Sequence, residues 1–225
     1  MGKPAERNPK TCPYCRTTGF GFEKEHVVPK CLWKKGLPNF MRTVPACKAC
    51  NSGYSRDEAY FRDMLVMMSD SRHPKVAELA KSTVPSSLLQ DPFVRNALRF
   101  AKPARRRSPG GIDVGDGVSL PFDQARFGRV IDKIVRGLFF VKSKRPLSPT
   151  HEVKMWLGNS FWNEPAFINL QEGMSGWASF GDDVFGCRCS RADTDHDMTT
   201  WVFQFYNSVA MFAWTQPVDG LVGDS

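Results

Sequence analysis

Long apolar runs are missing from this chain. No stretch of about 18 apolar residues could span a bilayer, and the N-terminal residues lack the apolar segment of a secretory signal. The chain also has no internal repeat, which excludes solenoid architectures. These absences predict a cytoplasmic protein that is not embedded in a membrane.

Acidic residues are scarce in the first two thirds of the chain. Residues 1–50 carry 10 Lys and Arg against 3 Asp and Glu, and residues 51–150 carry 18 against 10. The balance reverses to 3 against 10 in residues 151–225, while the whole chain has a net charge of +8. The basic region favours nucleic acid as a partner, because cationic side chains release counterions from phosphates. Solvated surface charge is the alternative.

Cysteine is also scarce, but its spacing is informative. Of the 7 cysteines, four form two Cys-x-x-Cys pairs, Cys12 with Cys15 and Cys47 with Cys50, with 31 residues between the pairs. Four thiolates complete the tetrahedral shell of Zn²⁺ and leave no open position, so the spacing predicts a structural zinc site. Redox-active or buried free thiols are the alternative.

Glu25 and His26 lie between the two cysteine pairs, at the end of a short predicted strand that Pro29 terminates. His26 is one of only 4 histidines, and a histidine that is neutral near pH 7 can accept a proton from water. Asn51 follows the second pair directly and precedes an amphipathic helix that runs past Phe61. The predicted order is therefore strand, loop and helix, with polar residues inside a zinc-clamped unit.

These motifs resemble those of the HNH nucleases of the ββα-metal superfamily. The resemblance lies in Cys-x-x-Cys, then Glu-His-Val-Val-Pro, then Val-Pro-Ala-Cys-x-x-Cys-Asn, and it covers about residues 12–65. It looks especially like the zinc-clamped branch that includes a phage Holliday-junction resolvase. A bacterial or phage origin is therefore expected.

The resemblance implies a role for each residue of the motif. His26 would be the general base that activates a water molecule, and Glu25 with Asn51 would hold one Mg²⁺ or Mn²⁺ ion. The implied reaction is hydrolysis of phosphodiester bonds in nucleic acid, with DNA the expected substrate. The nearby basic residues expected to contact nucleic acid are Lys30, Arg42 and Lys48. The alternative is a zinc-containing nucleic-acid-binding module that does not cleave, in which Glu25 and Asn51 do not converge on a metal.

Two positions depart from the family pattern. Glu25 stands where the family usually has Asp, which lengthens the ligand by one methylene. Arg42 and Thr43 stand where the family has Asn-Leu, and that Asn supports the loop that orients the histidine. Arg42 could instead bind phosphate.

The predicted fold class is α+β. A zinc-stabilised ββα-metal nuclease module is expected over residues 1–72, a helical segment and basic linker over 73–117, and a C-terminal α+β domain over 118–225. Pro85 and Pro92 are expected to break the helical segment. In the C-terminal domain a long helix over 122–141 is followed by short aromatic strands, which predicts an antiparallel sheet packed on that helix.

The predicted long helix has an apolar face and a cationic stripe. The apolar face consists of Phe127, Val130, Ile131, Ile134, Val135 and Leu138. The cationic stripe consists of Arg126, Arg129, Lys133 and Arg136. We interpret the stripe as a solvated face, with phosphate contact as the alternative.

Two acidic residues follow Asn51 by about two helical turns. Glu58 is expected to close a capping box with Ser55, with a place in the metal shell as the alternative. Asp57 is expected to be solvated. The acidic C-terminal region could bind a protein partner, form a homodimer or fold back over the nuclease and inhibit it.

Overall fold

The computed structural model describes residues 8–39, 41–107, 113–157 and 173–218. The chain begins with a small antiparallel hairpin of strands β1 (Lys10–Thr11) and β2 (Thr18–Gly19). The first cysteine pair lies in the turn of this hairpin. Arg16 has a left-handed backbone with φ 64°, and its N–H donates to Cys12 O at 2.8 Å. These contacts close the turn around the thiols.

A second antiparallel hairpin carries Glu25 and His26. It pairs β3 (Glu23–His26) with β4 (Thr43–Ala46), so that Glu25 lies opposite Val44 and His26 opposite Thr43. The connection contains a 3₁₀ turn, Lys30–Leu32, whose Leu32 is fully buried. The basic connection was predicted to be a loop, and most of it is irregular.

Two helices follow the second hairpin. Helix α1 (Lys48–Gly53) begins directly after Cys47, and α2 (Ser55–Met68) follows it. The predicted amphipathic helix is confirmed, because α2 buries its apolar residues. The fully buried ones are Phe61, Met64 and Leu65.

Three short helices form the next segment, as predicted. They are α3 (Pro74–Ser82), α4 (Val84–Gln90) and α5 (Pro92–Arg99). Pro85 and Pro92 lie in the first turns of α4 and α5, where the missing N–H of proline leaves no helical hydrogen bond unmade. The prolines therefore begin helices here rather than only ending them.

The segment predicted to be a basic linker forms an antiparallel ribbon. Strand β5 (Lys102–Arg107) pairs with β6 (Asp113–Ser119). The Pro-Gly-Gly sequence that suggested a linker lies outside the described residues, between the two strands. Turn residues alone do not separate a linker from a hairpin connection, and this is why the strands were missed.

The long predicted helix is present as α6 (Gln124–Ser143). All six residues of its predicted apolar face are buried, which confirms the helical periodicity. The side chain of Asp123 caps the helix by accepting a hydrogen bond from Arg126 N at 3.1 Å. Neither α6 nor any other helix in the described ranges combines the length and apolar character needed to cross a membrane.

A five-stranded antiparallel sheet completes the chain. Its strands are β7 (His151–Leu157), β8 (Ala178–Phe180), β9 (Phe185–Arg191), β10 (Thr199–Phe205) and β11 (Val209–Pro217). The spatial order is β7-β11-β10-β9-β8, so the predicted antiparallel sheet is confirmed. It is not a simple meander, because the first strand pairs with the last.

The hydrophobic core is continuous from the first hairpin to the last strand. Phe61 of α2 contacts Phe127 of α6 at 4.4 Å and Phe205 of β10 at 5.4 Å between ring centroids. Tyr206 donates a buried hydrogen bond to Leu32 O at 3.0 Å. These contacts cross the boundaries predicted at residues 72 and 117, and the division into three domains stays a prediction. The chain is a mixed α and β protein in which the site described next is built from distant segments.

Candidate functional site

Four cysteines meet at the N-terminal end of the molecule. The Sγ atoms of Cys12, Cys15, Cys47 and Cys50 all lie within 4.8 Å of one another, and those of Cys15 and Cys47 are 3.6 Å apart. A tetrahedral ion with Zn–S distances of about 2.3 Å separates its sulfurs by about 3.8 Å. The predicted cluster is therefore formed, and its ligand set and size could bind zinc.

The thiol groups of this cluster differ in their acidity. Burial opposes ionisation of Cys15, but hydrogen bonding with Thr17 and with the neighbouring cysteines outweighs it and lowers the pKa of Cys15 to about 6. Burial raises the pKa of Cys12 and of Cys50. A metal ligand must be a thiolate, and the lowered pKa of Cys15 favours that form.

Glu25 and Asn51 each have a partner, but not each other. Asn51 Nδ2 donates a hydrogen bond to Glu23 Oε2, while Glu25 Oε1 forms an ion pair with Lys133 Nζ. Glu23 and Glu25 are two residues apart on β3, so their side chains share one face of the hairpin. The structure thus places the two predicted metal ligands near the same face, paired to different groups.

Lys133 is the unexpected member of this site. Its side chain is 0% exposed, and Nζ pairs with Glu25 Oε1 and with Glu58 Oε1. It also lies 5.5 Å from the centroid of the Tyr54 ring. The interpretation of its stripe as a solvated face is wrong at this position, because α6 packs the lysine between β3 and α2.

The remainder of the cationic stripe is also paired with acidic residues. Arg126 contacts Asp57 and Asp91, both at 3.0 Å, and Arg129 contacts Asp57 at 3.0 Å. Asp57 is 6% exposed, so the expectation that it is solvated is wrong. Arg136 pairs with Asp132 on its own helix at 2.9 Å. Arg126 and Arg129 therefore join α6 to Asp57 of α2 and to Asp91, the residue that caps α5.

Glu58 does not close the predicted capping box. The N-cap of α2 is Tyr54, which makes no side-chain capping bond, and Ser55 Oγ donates to Ser52 O at 3.1 Å. The capping prediction is wrong because only Tyr54 separates α1 from α2. Ser55 is therefore the first residue of α2, whereas the prediction made it the cap before the helix. Glu58 is left to face Lys133.

His26 is the last residue of β3, and Glu58 is the carboxylate that influences its charge. The ring is partly buried, and burial is the largest effect that lowers its pKa below the ordinary value of 6.5. The charges of Lys30 and Lys133 lower the pKa further, and Glu58 opposes them. The backbone next to the ring is held by a hydrogen bond from Val27 N to Arg42 O at 3.0 Å. His26 is therefore favoured in its neutral, proton-accepting form near pH 7.

The three basic residues predicted to contact nucleic acid are all exposed. Lys30 begins the 3₁₀ turn after His26, Arg42 directly precedes β4, and Lys48 begins α1. Their contact with nucleic acid stays a prediction.

Lys133 is the site residue that sequence reasoning did not place, whereas Glu58 was considered for the metal shell only as the alternative to the capping box. The sequence signal for Lys133 is Val130, an apolar residue three positions earlier in the helix, whereas the burial of Gly137, four positions later, is visible only in the structure. A cation between two buried positions on one helix face must find a buried partner. Periodicity alone does not identify that partner.

Comparisons with known proteins return nothing for this chain. A scan against models of protein families finds no match, and searches of curated proteins and of solved structures find none either. The resemblance to HNH nucleases rests on the motifs of residues 12–65 alone.

Proposed function

We propose that this chain is a metal-dependent HNH endonuclease that hydrolyses phosphodiester bonds in nucleic acid, with DNA as the substrate. The observation that carries the proposal is the position of His26, partly buried, with a lowered pKa and next to Glu25 on β3. A neutral imidazole that lies within electrostatic reach of Glu58 and of the exposed Lys30 suits attack of water on a phosphate.

His26 acts as the general base. It takes a proton from the attacking water, and its low pKa keeps it ready to do so at neutral pH. Lys30, Arg42 and Lys48 hold the phosphate backbone by charge, which positions the substrate without selecting a sequence. The exposure of all three leaves room for that contact.

The donor chemistry of the site fits a hard divalent cation. Glu25 offers carboxylate oxygens, and Asn51 uses its amide nitrogen for Glu23 and keeps its Oδ1 for another partner. These two residues would hold Mg²⁺ or Mn²⁺, which both prefer oxygen ligands. When bound, the ion supplies charge stabilisation to the scissile phosphate and its leaving oxygen.

A non-cleaving, zinc-containing nucleic-acid-binding module is the second candidate. It is favoured by the pairing of Glu25 with Lys133 and of Asn51 with Glu23, since neither pair requires a metal ion. It keeps the cysteine cluster and the basic surface but assigns no chemistry to His26. A homodimer or a partner protein bound through the C-terminal region is compatible with either function.

A cleavage assay separates the two functions. Plasmid and branched DNA are incubated with the zinc-loaded protein and Mg²⁺ or Mn²⁺, and His26→Ala is compared with wild type. We expect the substitution to slow cleavage by about 10²–10⁴-fold, the range typical of a lost general base. His196→Ala is the control, because this histidine is exposed and belongs to the C-terminal region.

The two outcomes are distinct. Equal cleavage by wild type and His26→Ala would reject His26 as the base. Tight DNA binding without cleavage by the wild type, across both metals and both substrates, would instead favour the binding module.

A further inference from the structure

Helix α5 and the start of β5 expose apolar rings to solvent. Of the 8 residues of α5, only Val94 and Ala97 are buried. The side chains of Phe93 and Phe100 are 52% and 54% exposed, although phenylalanine is usually a core residue. Exposed aromatic residues grouped on one short segment indicate a surface that binds a partner. We call residues 93–107 the exposed segment.

The exposed segment is also strongly basic. It contains no Asp or Glu, and its cations are Arg95, Arg99, Lys102, Arg105, Arg106 and Arg107. Arg105 approaches Asp113 at 3.5 Å and Asp116 at 3.6 Å. Arg95, Arg99 and Lys102 are exposed and form no ion pair with any residue in the described ranges. Their charge is available to a partner outside the chain.

We propose that the exposed segment is a docking surface for single-stranded nucleic acid. Its phenylalanine rings stack on unpaired bases, and its cations hold the phosphate backbone. The inference rests on the proposed function only in taking nucleic acid as the partner. It places the contact on α5 and β5, outside the motifs of residues 12–65.

The geometry of the two rings suits a strand of unpaired bases. Phe93 and Phe100 are seven residues apart, which is about two helical turns, so they lie on the same side of α5. That spacing is about 10.5 Å along the helix axis, or about three steps of a stacked strand at about 3.4 Å each. Tyr60 and Arg126 support the Phe93 ring, at 6.4 Å and 5.2 Å from its centroid. The guanidinium of Arg99 lies 5.6 Å from the centroid of Phe100.

The combination of rings and charge selects this partner over two others. A duplex hides the faces of its bases in the stack, so it would use the cations and leave the phenylalanines without a role. A protein partner would suit the exposed Leu89 and Leu98, but a segment with cations alone fits a polyanion better. Cations that follow a backbone beside aromatic rings that stack on bases are the chemistry of single-strand binding.

The test measures binding of a fluorescently labelled oligothymidylate, and of a duplex of the same length, by anisotropy. The full zinc-loaded chain is used without added Mg²⁺ or Mn²⁺, so that binding is measured apart from cleavage. We expect Phe100→Ala to weaken binding of the single strand about 5- to 100-fold, because a stacked base contributes an affinity of this order. Binding of the duplex should stay within about twofold of wild type, and Phe100→Tyr should restore single-strand binding to the same extent.

Leu89→Ala is the matched control for the ring. Its side chain is 81% exposed on the neighbouring helix α4 but has no aromatic face, so its removal should leave both affinities unchanged. Arg95→Gln tests the charge without removing a ring. The slope of log K against log salt for the single strand should become shallower by about 0.7, which corresponds to one phosphate contact. Lys81→Gln removes the same charge from α3 and should leave the slope unchanged.

The proposal is overturned if Phe100→Ala binds the single strand as wild type does, or if Leu89→Ala weakens binding equally. Displacement of the labelled strand by polyglutamate as effectively as by unlabelled oligothymidylate would also overturn it, because charge alone would then explain binding. None of these results depends on cleavage. A wild type that cleaves DNA but does not bind the single strand would keep the nuclease and remove the docking surface. An inactive wild type with the expected affinities would do the reverse.

Discussion

At the scale of single residues, the acid–base behaviour of His26 decides whether the proposed chemistry works at neutral pH. Burial disfavours its protonated form, and Lys30 adds a second, electrostatic reason for the lowered pKa. The proton acceptor is thus prepared by its surroundings before any substrate arrives. This arrangement has a measurable consequence in the pH dependence of cleavage.

Lys30→Gln should shift the acidic limb of the pH–rate profile to higher pH. The wild-type rate is expected to fall as His26 becomes protonated, with a midpoint below 6.5, because the pKa is lowered. Removal of the Lys30 charge makes the protonated ring less costly, so the pKa and the midpoint rise toward 6.5. The measurement is the single-turnover cleavage rate from pH 4.5 to 8.

Lys34→Gln is the control for this shift, since Lys34 is an exposed lysine of the same connection. It changes the net charge equally and should leave the midpoint in place. A midpoint that stays fixed in Lys30→Gln, or moves to lower pH, would contradict the electrostatic account of His26.

The cysteines were the most predictable part of the site, because their spacing in the sequence is itself a metal-binding pattern. The cysteine cluster was predicted correctly, because two Cys-x-x-Cys pairs are typical of four ligands that share one metal site. The partners of charged side chains were not predictable. Lys133 and Asp57 were both predicted to be exposed to solvent. Helical periodicity does not show which distant carboxylate or guanidinium will pair with each of them.

At the scale of elements, the N-terminal hairpin is too small to stabilise itself. Strands β1 and β2 have two residues each, and α1 buries none of its residues. A two-stranded hairpin of this size is unstable in water without another support. The cysteine cluster joins these two elements, so bound zinc would supply the stability that their packing does not.

Cys47→Ser should therefore lose zinc and loosen the N-terminal hairpin. We expect about one zinc ion per wild-type chain and close to none in the variant, because three thiolates and a hydroxyl bind Zn²⁺ far more weakly. Zinc content is measured by mass spectrometry of the purified protein, and the loosening by faster proteolysis of residues 8–22. Cys187→Ser in strand β9 is the control and should keep its zinc. Full zinc content in Cys47→Ser would reject the four-cysteine site.

Helices and strands were predicted correctly where one face of the element is buried. They were missed where both faces are exposed to solvent. Helix α6 was found from its apolar repeat, and the strands of the C-terminal sheet from their aromatic residues. The ribbon of β5 and β6 was missed, because its exposed residues carry no alternation of apolar and polar side chains. The predicted six-residue apolar face of α6 needed no such correction.

At the scale of the whole molecule, the candidate site exists only because α6 lies against the hairpin of β3 and β4. Gly137 of α6 faces Val27, the residue after His26, and a Cβ at position 137 would lie 2.7 Å from Val27 Cγ1. Lys133 is one helical turn before Gly137, so the same close approach brings its ammonium to Glu25. The C-terminal part of the chain is thereby an integral part of the candidate site.

Gly137→Ala should destabilise the protein, although alanine is ordinarily the better helix former. A methyl group at 2.7 Å from Val27 must push α6 away from the hairpin, and overpacking of this kind costs about 1–3 kcal/mol.

Gly128→Ala is the matched control on the same helix. Its added Cβ meets only Met155 Sδ, at 3.9 Å, so we expect it to be neutral or to stabilise the protein by up to about 1 kcal/mol. The measurement is the free energy of unfolding in urea for both variants. Equal stability of the two variants would show that α6 does not approach the hairpin this closely, and the pairing of Lys133 with Glu25 would lose its structural basis.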